Sequence, residues 1–252
     1  MFDLFTISAI TVAFLIAGTV KGVIGLGLPT VSLGLLTAAL DLTTAMALLI
    51  VPSLATNLWQ AGSGGNGRAI IRRIWPFLLM ATLSVWIGAA ALTRVDLSVL
   101  SGLLGVLLLT YATTSLGGVR FGISGRHEVW VGPALGTING ILTGMTGSFV
   151  VPGVMYLQAI GLSRDMLIQA MGMLFTVSTI ALAVALKGYD LVSGQIVLVS
   201  LCAVIPAEIG MAIGQRIRYR LSQDRFRLVF FIAILLLGAY IVLSSTLNSW
   251  ES

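Results

Sequence analysis

The sequence predicts an all-α polytopic membrane protein with two inverted-topology repeats, 8–10 transmembrane helices, and a broken or re-entrant helix pair in each half. Its composition is the first reason: 58% of the 252 residues are hydrophobic and 9% are charged, with a mean hydropathy of +1.05. Soluble domains carry about a quarter charged residues. The other reasons are recurring apolar stretches and basic residues clustered in the short loops between them. This distribution argues against a nucleic-acid partner despite the net charge of +5.

Seven apolar stretches have the length of a membrane span. They run from Leu4 to Ile24, Ala45 to Ala61, Ile74 to Leu92, Leu97 to Leu116, Met166 to Leu186, Leu191 to Met211 and Leu228 to Leu247. Two regions are harder to divide, with 37 residues between Asp3 and Asp41 and 34 between Glu128 and Ser163. These reach roughly 50–55 Å as helix, short of the 60 Å or so that two crossings need. Each should hold one near-complete helix plus a short piece, or a hairpin that dips in and turns.

Several function classes are not expected. The N-terminus lacks the basic region of a signal peptide and carries Asp3, so a retained first membrane segment is expected. No polar stretch exceeds a loop, so an ATPase would be a separate chain. The single cysteine, Cys202, lies in an apolar run and is expected to be a packing residue. One histidine, no intramembrane carboxylate pair and no phosphate loop predict neither an enzyme nor a metal or other cofactor.

An internal repeat is visible in the letters. Gly18 to Gly22 (GTVKG) matches Gly136 to Gly140 (GTING), and Leu28-Pro29 matches Val151-Pro152. Further on, Ile87-Gly88 and Arg94 match Ile213-Gly214 and Arg220. The matches keep one order, which predicts a first repeat at 1–119, a cytoplasmic linker loop at 120–127 and a second repeat at 128–252.

Charge indicates whether the repeats are parallel or inverted. The two large basic clusters can both be cytoplasmic only if each half crosses an odd number of times. Five elements per half and periplasmic N- and C-termini place eleven basic residues inside: Arg68, Arg72, Arg73, Arg120, Arg126, Arg164, Arg216, Arg218, Arg220, Arg225 and Arg227. Only Arg94 and Lys187 then fall outside, which favours inverted repeats.

Lys21 is a cation inside the first apolar run, beside the first Gly/Pro break, and intramembrane charges mark functional sites by default. One interpretation is an anion site, with the ammonium near helix N-termini freed by the breaks. The other is that helix 1 ends near Lys21, whose side chain extends to the cytoplasmic interface. Its repeat partner Asn139 favours the first interpretation slightly, because inverted symmetry would place both near the midplane.

The other candidates lie mainly at the two breaks. Glycines there let the backbone approach a solute, whereas small-xxx-small spacing is also typical of helix packing, which is expected for Gly18 and Gly136. Hydroxyls can donate to an oxyanion or bond their own backbone, and buried amides can contact solute or bond between helices. The candidate substrate-binding residues are Lys21, Gly22, Gly25, Gly27, Pro29, Asn57, Asn139, Gly140, Thr143, Gly144, Thr146, Gly147, Ser148, Gln158 and Gln169. Glu208 is the candidate for proton coupling, with pairing to Arg216 or to backbone as the alternative.

The two break regions resemble the sulfite exporter TauE/SafE family of membrane transporters. The clearest block is GTINGILTGMTGSFVVPGVMYLQAIGLSRDMLIQAMGMLFTVST, from Gly136 to Thr179. Its first-half counterpart is AGTVKGVIGLGLPTVSLGLL, from Ala17 to Leu36, followed by Ala45 to Asn57. The likeness covers almost the whole chain in layout. The family's usual Gly-Gly-Gly after the second break is Gly147-Ser148-Phe149 here, and the first break is shortened; these departures bear on substrate and pocket shape.

The resemblance implies ATP-independent movement of small sulfur-containing anions, such as sulfite, sulfonates or sulfoacetate, across a bacterial inner membrane. We therefore expect a secondary transporter, an exporter, whose halves rock about a midplane site formed by the breaks at 21–29 and 139–152. The alternatives are an anion channel or an uptake permease for small organic carboxylates. The expected partners are a small anionic solute and membrane lipid, without nucleic acid, and a homo-oligomer is left open.

Overall fold

The computed structural model describes residues 3–118, 122–123, 125–218 and 223–251. Arg120, Arg220 and part of the linker at 120–127 lie outside these ranges. Within them the chain is helical and has no strand. The helices are α1 (Leu4–Ile24), α2 (Leu28–Ala39), α3 (Leu42–Leu48), α4 (Ile50–Gly62), α5 (Gly67–Leu83), α6 (Val85–Ala89), α7 (Leu97–Leu116), α8 (Gly125–Thr146), α9 (Gly153–Ala159), α10 (Arg164–Gly188), α11 (Gly194–Cys202), α12 (Val204–Arg218) and α13 (Gln223–Glu251), with a 3-10 turn at Ala90–Thr93.

Short polar side chains fix where several helices begin. Asp3 accepts a hydrogen bond from the Thr6 backbone N–H at 2.9 Å, and Asp41 accepts one from Thr44 at 2.9 Å. Asp96 does the same for Ser98 at 2.8 Å, and these hydrogen bonds hold the pKa of its carboxyl below the ordinary value. Each cap satisfies an N–H group that the first helical turn leaves without a partner.

Six helical segments of the described chain are long and apolar enough to cross a membrane. They are Leu4–Ile24, Gly67–Thr93, Leu97–Leu116, Arg164–Gly188, Gly194–Arg218 and Asp224–Leu247. The pair α3 and α4, bent by 44°, would make a seventh. This is fewer than the expected 8–10: α2 and α9 are short, and α8, although it has 22 residues, is not among the candidate spans. The protein is therefore a multi-pass helical membrane protein.

The two regions that the sequence left hard to divide, between Asp3 and Asp41 and between Glu128 and Ser163, contain the helices that their lengths predicted. The first holds α1, of 21 residues, and the short α2, of 12 residues. The second holds α8, of 22 residues, and the short α9, of 7 residues. Each region is thus one near-complete helix followed by a short piece. Cys202, by contrast, is exposed, so the prediction that it is a packing residue is wrong; its place in an apolar run reflects a lipid-facing helix.

The chain forms two compact units, and neither coincides with a sequence half. Unit 1 comprises Met1–Pro52, Val95–Gly118 and Val192–Ser252. Unit 2 comprises Ser53–Arg94 and Val119–Leu191. Each unit therefore combines helices from both proposed repeats.

In unit 1, glycines bring α1 and α12 into backbone contact. A Cβ atom at Gly18 would overlap the Ala207 carbonyl oxygen, and one at Gly22 would overlap that of Met211. From the other side, a Cβ at Gly214 would overlap the Thr19 carbonyl oxygen. The helices α7 and α13 approach closely in the same unit, with Tyr111 against Phe231 at a ring-centroid distance of 5.3 Å. Glycine contacts like those between α1 and α12 are the usual means of close helix association in lipid.

In unit 2, α8 crosses α5 and α6 in the same manner. A Cβ at Gly136 would lie 3.2 Å from the Phe77 Cα, and one at Gly144 would overlap the Val85 carbonyl oxygen. Ser84, between α5 and α6, donates to the Thr137 carbonyl at 2.9 Å. The expected packing roles of Gly18 and Gly136 are therefore confirmed.

A bidentate ion pair joins the N-terminal part of α8 to α5. Arg73 Nε and Nη2 contact the Glu128 carboxylate at 2.9 and 2.7 Å. Nη2 also donates to the Ile160 carbonyl at 2.7 Å, which ties the end of α9 to the pair. The planar guanidinium matches the carboxylate geometry, so one side chain orients three segments of unit 2.

Candidate functional site

The first break lies in unit 1, between α1 and α2. Gly25 and Gly27 adopt φ values of 81° and 105°, left-handed conformations that favour glycine. The Gly25 N–H donates to the Lys21 carbonyl at 2.7 Å and closes α1. Pro29 then stands in the first turn of α2, where a missing N–H costs nothing. These residues thus form the helix break that the sequence predicted.

Lys21 occupies the last turn of α1 and is only 5% exposed. A lysine that extends to an aqueous interface keeps its ammonium exposed, so burial disfavours that interpretation. The carboxylate of Glu208, on α12 of the same unit, attracts the Lys21 charge. Glu208 itself is exposed on the surface of the chain. Unit 1 therefore carries a buried cation beside the break, with a carboxylate in electrostatic range.

The second break lies in unit 2 and folds back over the end of α8. Gly147, with φ of 72°, ends the helix, and its N–H donates to the Thr143 carbonyl at 2.7 Å. The Gly153 N–H donates to Asn139 Oδ1 at 2.9 Å, two turns before the helix end. A Cβ at Gly153 would lie 2.9 Å from the Asn139 Cγ. Glycine at this position is therefore what allows the backbone to reach the amide.

Two predicted hydroxyl donors of the second break are used by the backbone. Thr143 Oγ1 donates to the Ser148 carbonyl at 2.9 Å. Thr146 Oγ1 donates to the Leu142 carbonyl at 2.7 Å and accepts from the Ser148 N–H at 3.2 Å. Each hydroxyl has one proton, so neither has one left for an oxyanion. In this conformation both threonines shape the break, and their expected role as solute donors is not supported.

Asn139 has the donors that the threonines lack. Because the Gly153 N–H needs an acceptor, the amide oxygen faces it and the NH₂ group points elsewhere. Asn139 is fully buried, and its Nδ2 has no hydrogen-bond partner among the residues that the structure describes. An unpaired buried donor costs about 1–3 kcal/mol. Its two N–H groups are therefore available to a polar ligand or to water.

Three glycines that were predicted to contact the solute lie at helix packing contacts, and their solute contact stays a prediction. Gly22 lies on the α1–α12 contact, while Gly140 and Gly144 lie on the contact of α8 with α5 and α6. A Cβ at Gly140 would overlap the Ala81 carbonyl oxygen. The local reason is the four-residue spacing, which places these glycines on one face of each helix.

The amide side chains of unit 2 differ in burial and in hydrogen bonding. Gln169 Nε2 donates to the Ala61 carbonyl at 2.9 Å, and its Oε1 accepts from the Asn66 N–H at 3.0 Å. Gln60 Nε2 donates to the Ile168 carbonyl at 2.8 Å. Asn57 is buried on α4, whereas Gln158 is exposed on α9 and was wrongly expected to be buried. Gln169 thus links α10 to the end of α4 through its hydrogen bond to Ala61.

Replacing Gln169 by leucine should lower stability without changing solute recognition. The substitution leaves the part-buried Ala61 carbonyl and Asn66 N–H without their side-chain partner, each at a cost below the ~1–3 kcal/mol of a fully buried group. We expect the thermal midpoint of the purified protein to fall by several degrees, while KM stays at the native value. Gln158→Leu, which alters an exposed amide, serves as the control. A native midpoint with a raised KM would instead place Gln169 in the solute site.

Ser178 and Thr179 of α10 are not among the residues that the sequence predicted for the site. Both are fully buried, and neither hydroxyl has a partner among the described residues. Thr176, on the same helix, donates to the Gly172 carbonyl at 2.7 Å. Nothing in the letters Thr-Val-Ser-Thr separates the bonded hydroxyl from the two unbonded ones, so only the structure reveals them.

Comparison with known proteins identifies the family. The family model described as sulfite exporter TauE/SafE matches residues 10–241, which include both breaks and all the candidate residues. Searches of curated proteins and of solved structures find no match. Among the described residues, no group of three His, Cys, Asp or Glu side chains is arranged to hold a metal ion. The buried polar groups at two helix breaks thus occur in a chain that belongs to the sulfite exporter TauE/SafE family of membrane transporters.

Proposed function

We propose that this protein is a secondary transporter that exports small sulfur-containing anions, such as sulfite, sulfonates or sulfoacetate, across the bacterial inner membrane. The family implies transport of sulfur-containing anions. The observation that carries the proposal to a site is Asn139, whose carboxamide is fixed by Gly153 and presents two unpaired buried N–H donors. Donors without nearby acceptors favour an anion over a cation.

Lys21 supports an anionic solute independently. Among the described residues, Lys21 is the one charged residue that is buried, and it lies beside a helix break. The N-terminus of α2, which follows this break without a side-chain cap, adds partial positive charge. Gly25, Gly27 and Pro29 contribute by forming the break, where the backbone can approach the solute closely. The proton-coupling role of Glu208 is part of the proposal, since its charge acts on Lys21.

We also propose that residues 1–119 and 128–252 are inverted repeats that exchange helices. The α1–α12 contact of unit 1 and the contact of α8 with α5 and α6 in unit 2 pair the segments that the sequence matches make equivalent. The α1–α12 contact brings Gly22 against Gly214, and the contact of α8 with α6 brings Gly144 against Gly88, which is the sequence match of Gly214. Rocking of whole halves would pull these backbone contacts apart.

Export is the direction that the membrane potential favours. An inside-negative potential drives one negative charge outward with about 2.3 kcal/mol per 100 mV. Uptake against that potential requires coupling to another ion, for which Glu208 is the candidate proton carrier.

Binding by an Asn139→Asp variant tests the proposed site. Aspartate retains the oxygen that accepts from Gly153 but replaces the NH₂ donors with a second oxygen, so an anion should be repelled. We expect sulfite or a small sulfonate to raise the thermal midpoint of the native protein, as a ligand that binds the folded state does, and to leave the variant unchanged. Asn139→Leu, which also removes the Gly153 bond, reports the structural contribution.

Two results would contradict the proposed site or substrate. Equal stabilisation of the native and Asn139→Asp proteins would remove Asn139 from the site. Stabilisation of the native protein by small carboxylates, without any by sulfur anions, would replace the substrate class with that of a carboxylate permease.

The proposed orientation can be tested with single cysteines. In a Cys202→Ser background, Ser63→Cys reports the loop after α4 and Val95→Cys the turn before α7, both exposed positions. With periplasmic termini, a membrane-impermeant maleimide should label the Val95→Cys variant in intact cells and the Ser63→Cys variant only after lysis. Labelling in the opposite order would place both termini in the cytoplasm.

A further inference from the structure

Two hydroxyls of α10 lack the hydrogen bond that serine and threonine ordinarily make in a helix. A buried helical hydroxyl usually donates to the carbonyl four residues earlier. Ser32 and Thr82 do so in this chain at 2.7 Å each, as does Thr176. Ser178 Oγ and Thr179 Oγ1 do not, although both residues are fully buried. Both hydroxyls are therefore buried without a hydrogen-bond partner in the described part of unit 2.

Ser178 and Thr179 lie one helical turn beyond two residues of α10 that contact the second break. One turn earlier on α10, the Leu174 side chain meets the break, since a Cβ at Gly153 would lie 2.9 Å from its Cδ2. Phe175 packs on Phe149 of the break, with ring centroids 5.8 Å apart. Residues four apart lie on the same helix face, about one turn or 5.4 Å further along. Ser178 thus continues the face of Leu174, and Thr179 that of Phe175.

Asn139, whose amide NH₂ group is unpaired, contacts the same break. Gly153, which Leu174 contacts, donates to Asn139 Oδ1. The unpaired donors thus lie on the two helices that contact the break: the Asn139 NH₂ on α8, and the Ser178 and Thr179 hydroxyls on α10, one turn beyond Leu174 and Phe175. Leaving three buried polar groups without partners has a free-energy cost that packing does not require. A ligand or water that satisfies them explains why they are retained.

We propose that Ser178 and Thr179 donate hydrogen bonds to the oxygens of the transported anion and, with Asn139, set its specificity. This inference rests on the proposed function and adds two substrate-contacting residues to it. Sulfite and sulfonates present three oxygens on one sulfur, which three neutral donor groups can bind.

Removal of the two hydroxyls tests the inference. We expect Ser178→Ala and Thr179→Val each to raise KM for labelled sulfite in proteoliposomes about tenfold, and the double variant to raise it further, because each loses a hydrogen bond to a charged group. The thermal midpoint without ligand should stay level or rise, since the removed hydroxyls have no protein partner. Thr176→Val, which removes a hydroxyl bonded to its own helix, should leave KM unchanged.

The possible failures are distinguishable. A native KM in the double variant, with flux lost in Asn139→Asp, would overturn the role of the hydroxyls but keep the proposed function. A lowered midpoint with a native KM would make both residues packing residues. Absence of any sulfite or sulfonate flux in the folded native protein would overturn the function and this inference together.

Discussion

Leucine in place of Gly88 should prevent unit 2 from folding. A Cβ at this position would overlap the Ile141 carbonyl oxygen and lie 3.0 Å from the Gly144 Cα. The obstacle is backbone rather than a side chain that can rotate away, so α6 and α8 must separate to admit a larger residue. Overpacking that side chains can absorb costs about 1–3 kcal/mol, and separation of a helix contact costs more than that. We expect loss of the monodisperse peak in size-exclusion chromatography of the detergent extract.

Gly194→Leu is the matched control for this prediction. Gly194 is also helical, but a Cβ there meets nothing within 4 Å. This variant should elute and melt like the native protein. Native behaviour of the Gly88→Leu variant would contradict the close α6–α8 contact and, with it, the glycine-based assembly of unit 2.

Methionine in place of Lys21 should reduce anion flux by at least tenfold while the protein stays folded. Methionine has a similar length and no charge, so it removes the buried cation and its desolvation cost while filling much the same space. Glu208, which attracts Lys21, is exposed on the surface of the chain, so its carboxylate is not left buried inside the protein when the cation is gone. The measurement is the initial rate of labelled sulfite flux per folded transporter in proteoliposomes.

The control for the lysine is Lys187→Met, which removes an exposed cation in the last turn of α10. Its flux should equal that of the native protein. Native flux from the Lys21→Met variant would return Lys21 to a structural role, even though the protein remained a transporter.

The sequence predicted well those structural features that a lipid environment restricts, such as the bounds of the apolar helices. Apolar runs gave the bounds of α1 and α7 as the structure has them, and chain length correctly predicted a short helix beside each near-complete one. Gly25 and Gly147 end helices as expected, because left-handed backbone next to proline-containing segments is a local property. The spacing of Gly18 and Gly136 likewise indicated packing without knowledge of the partner helix.

The remaining features depend on contacts that spacing does not encode. The hydroxyl of Thr143 bonds a carbonyl five residues later, which follows from the fold of the break. Ser178 and Thr176 have equivalent sequence surroundings but different hydrogen bonding. Each compact unit draws helices from both halves of the chain through tertiary packing, which the predicted sequence repeat does not encode.

Counterflow of labelled sulfite in proteoliposomes containing only this protein tests the central claim most directly. Vesicles preloaded with unlabelled sulfite should transiently accumulate external labelled sulfite, with a rate that saturates and is inhibited by a small sulfonate but not by acetate. Flux that rises linearly with concentration and shows no counterflow would contradict a transporter and indicate a channel. Absence of sulfite and sulfonate flux from folded protein would contradict the assignment of sulfur-containing anions as its substrates.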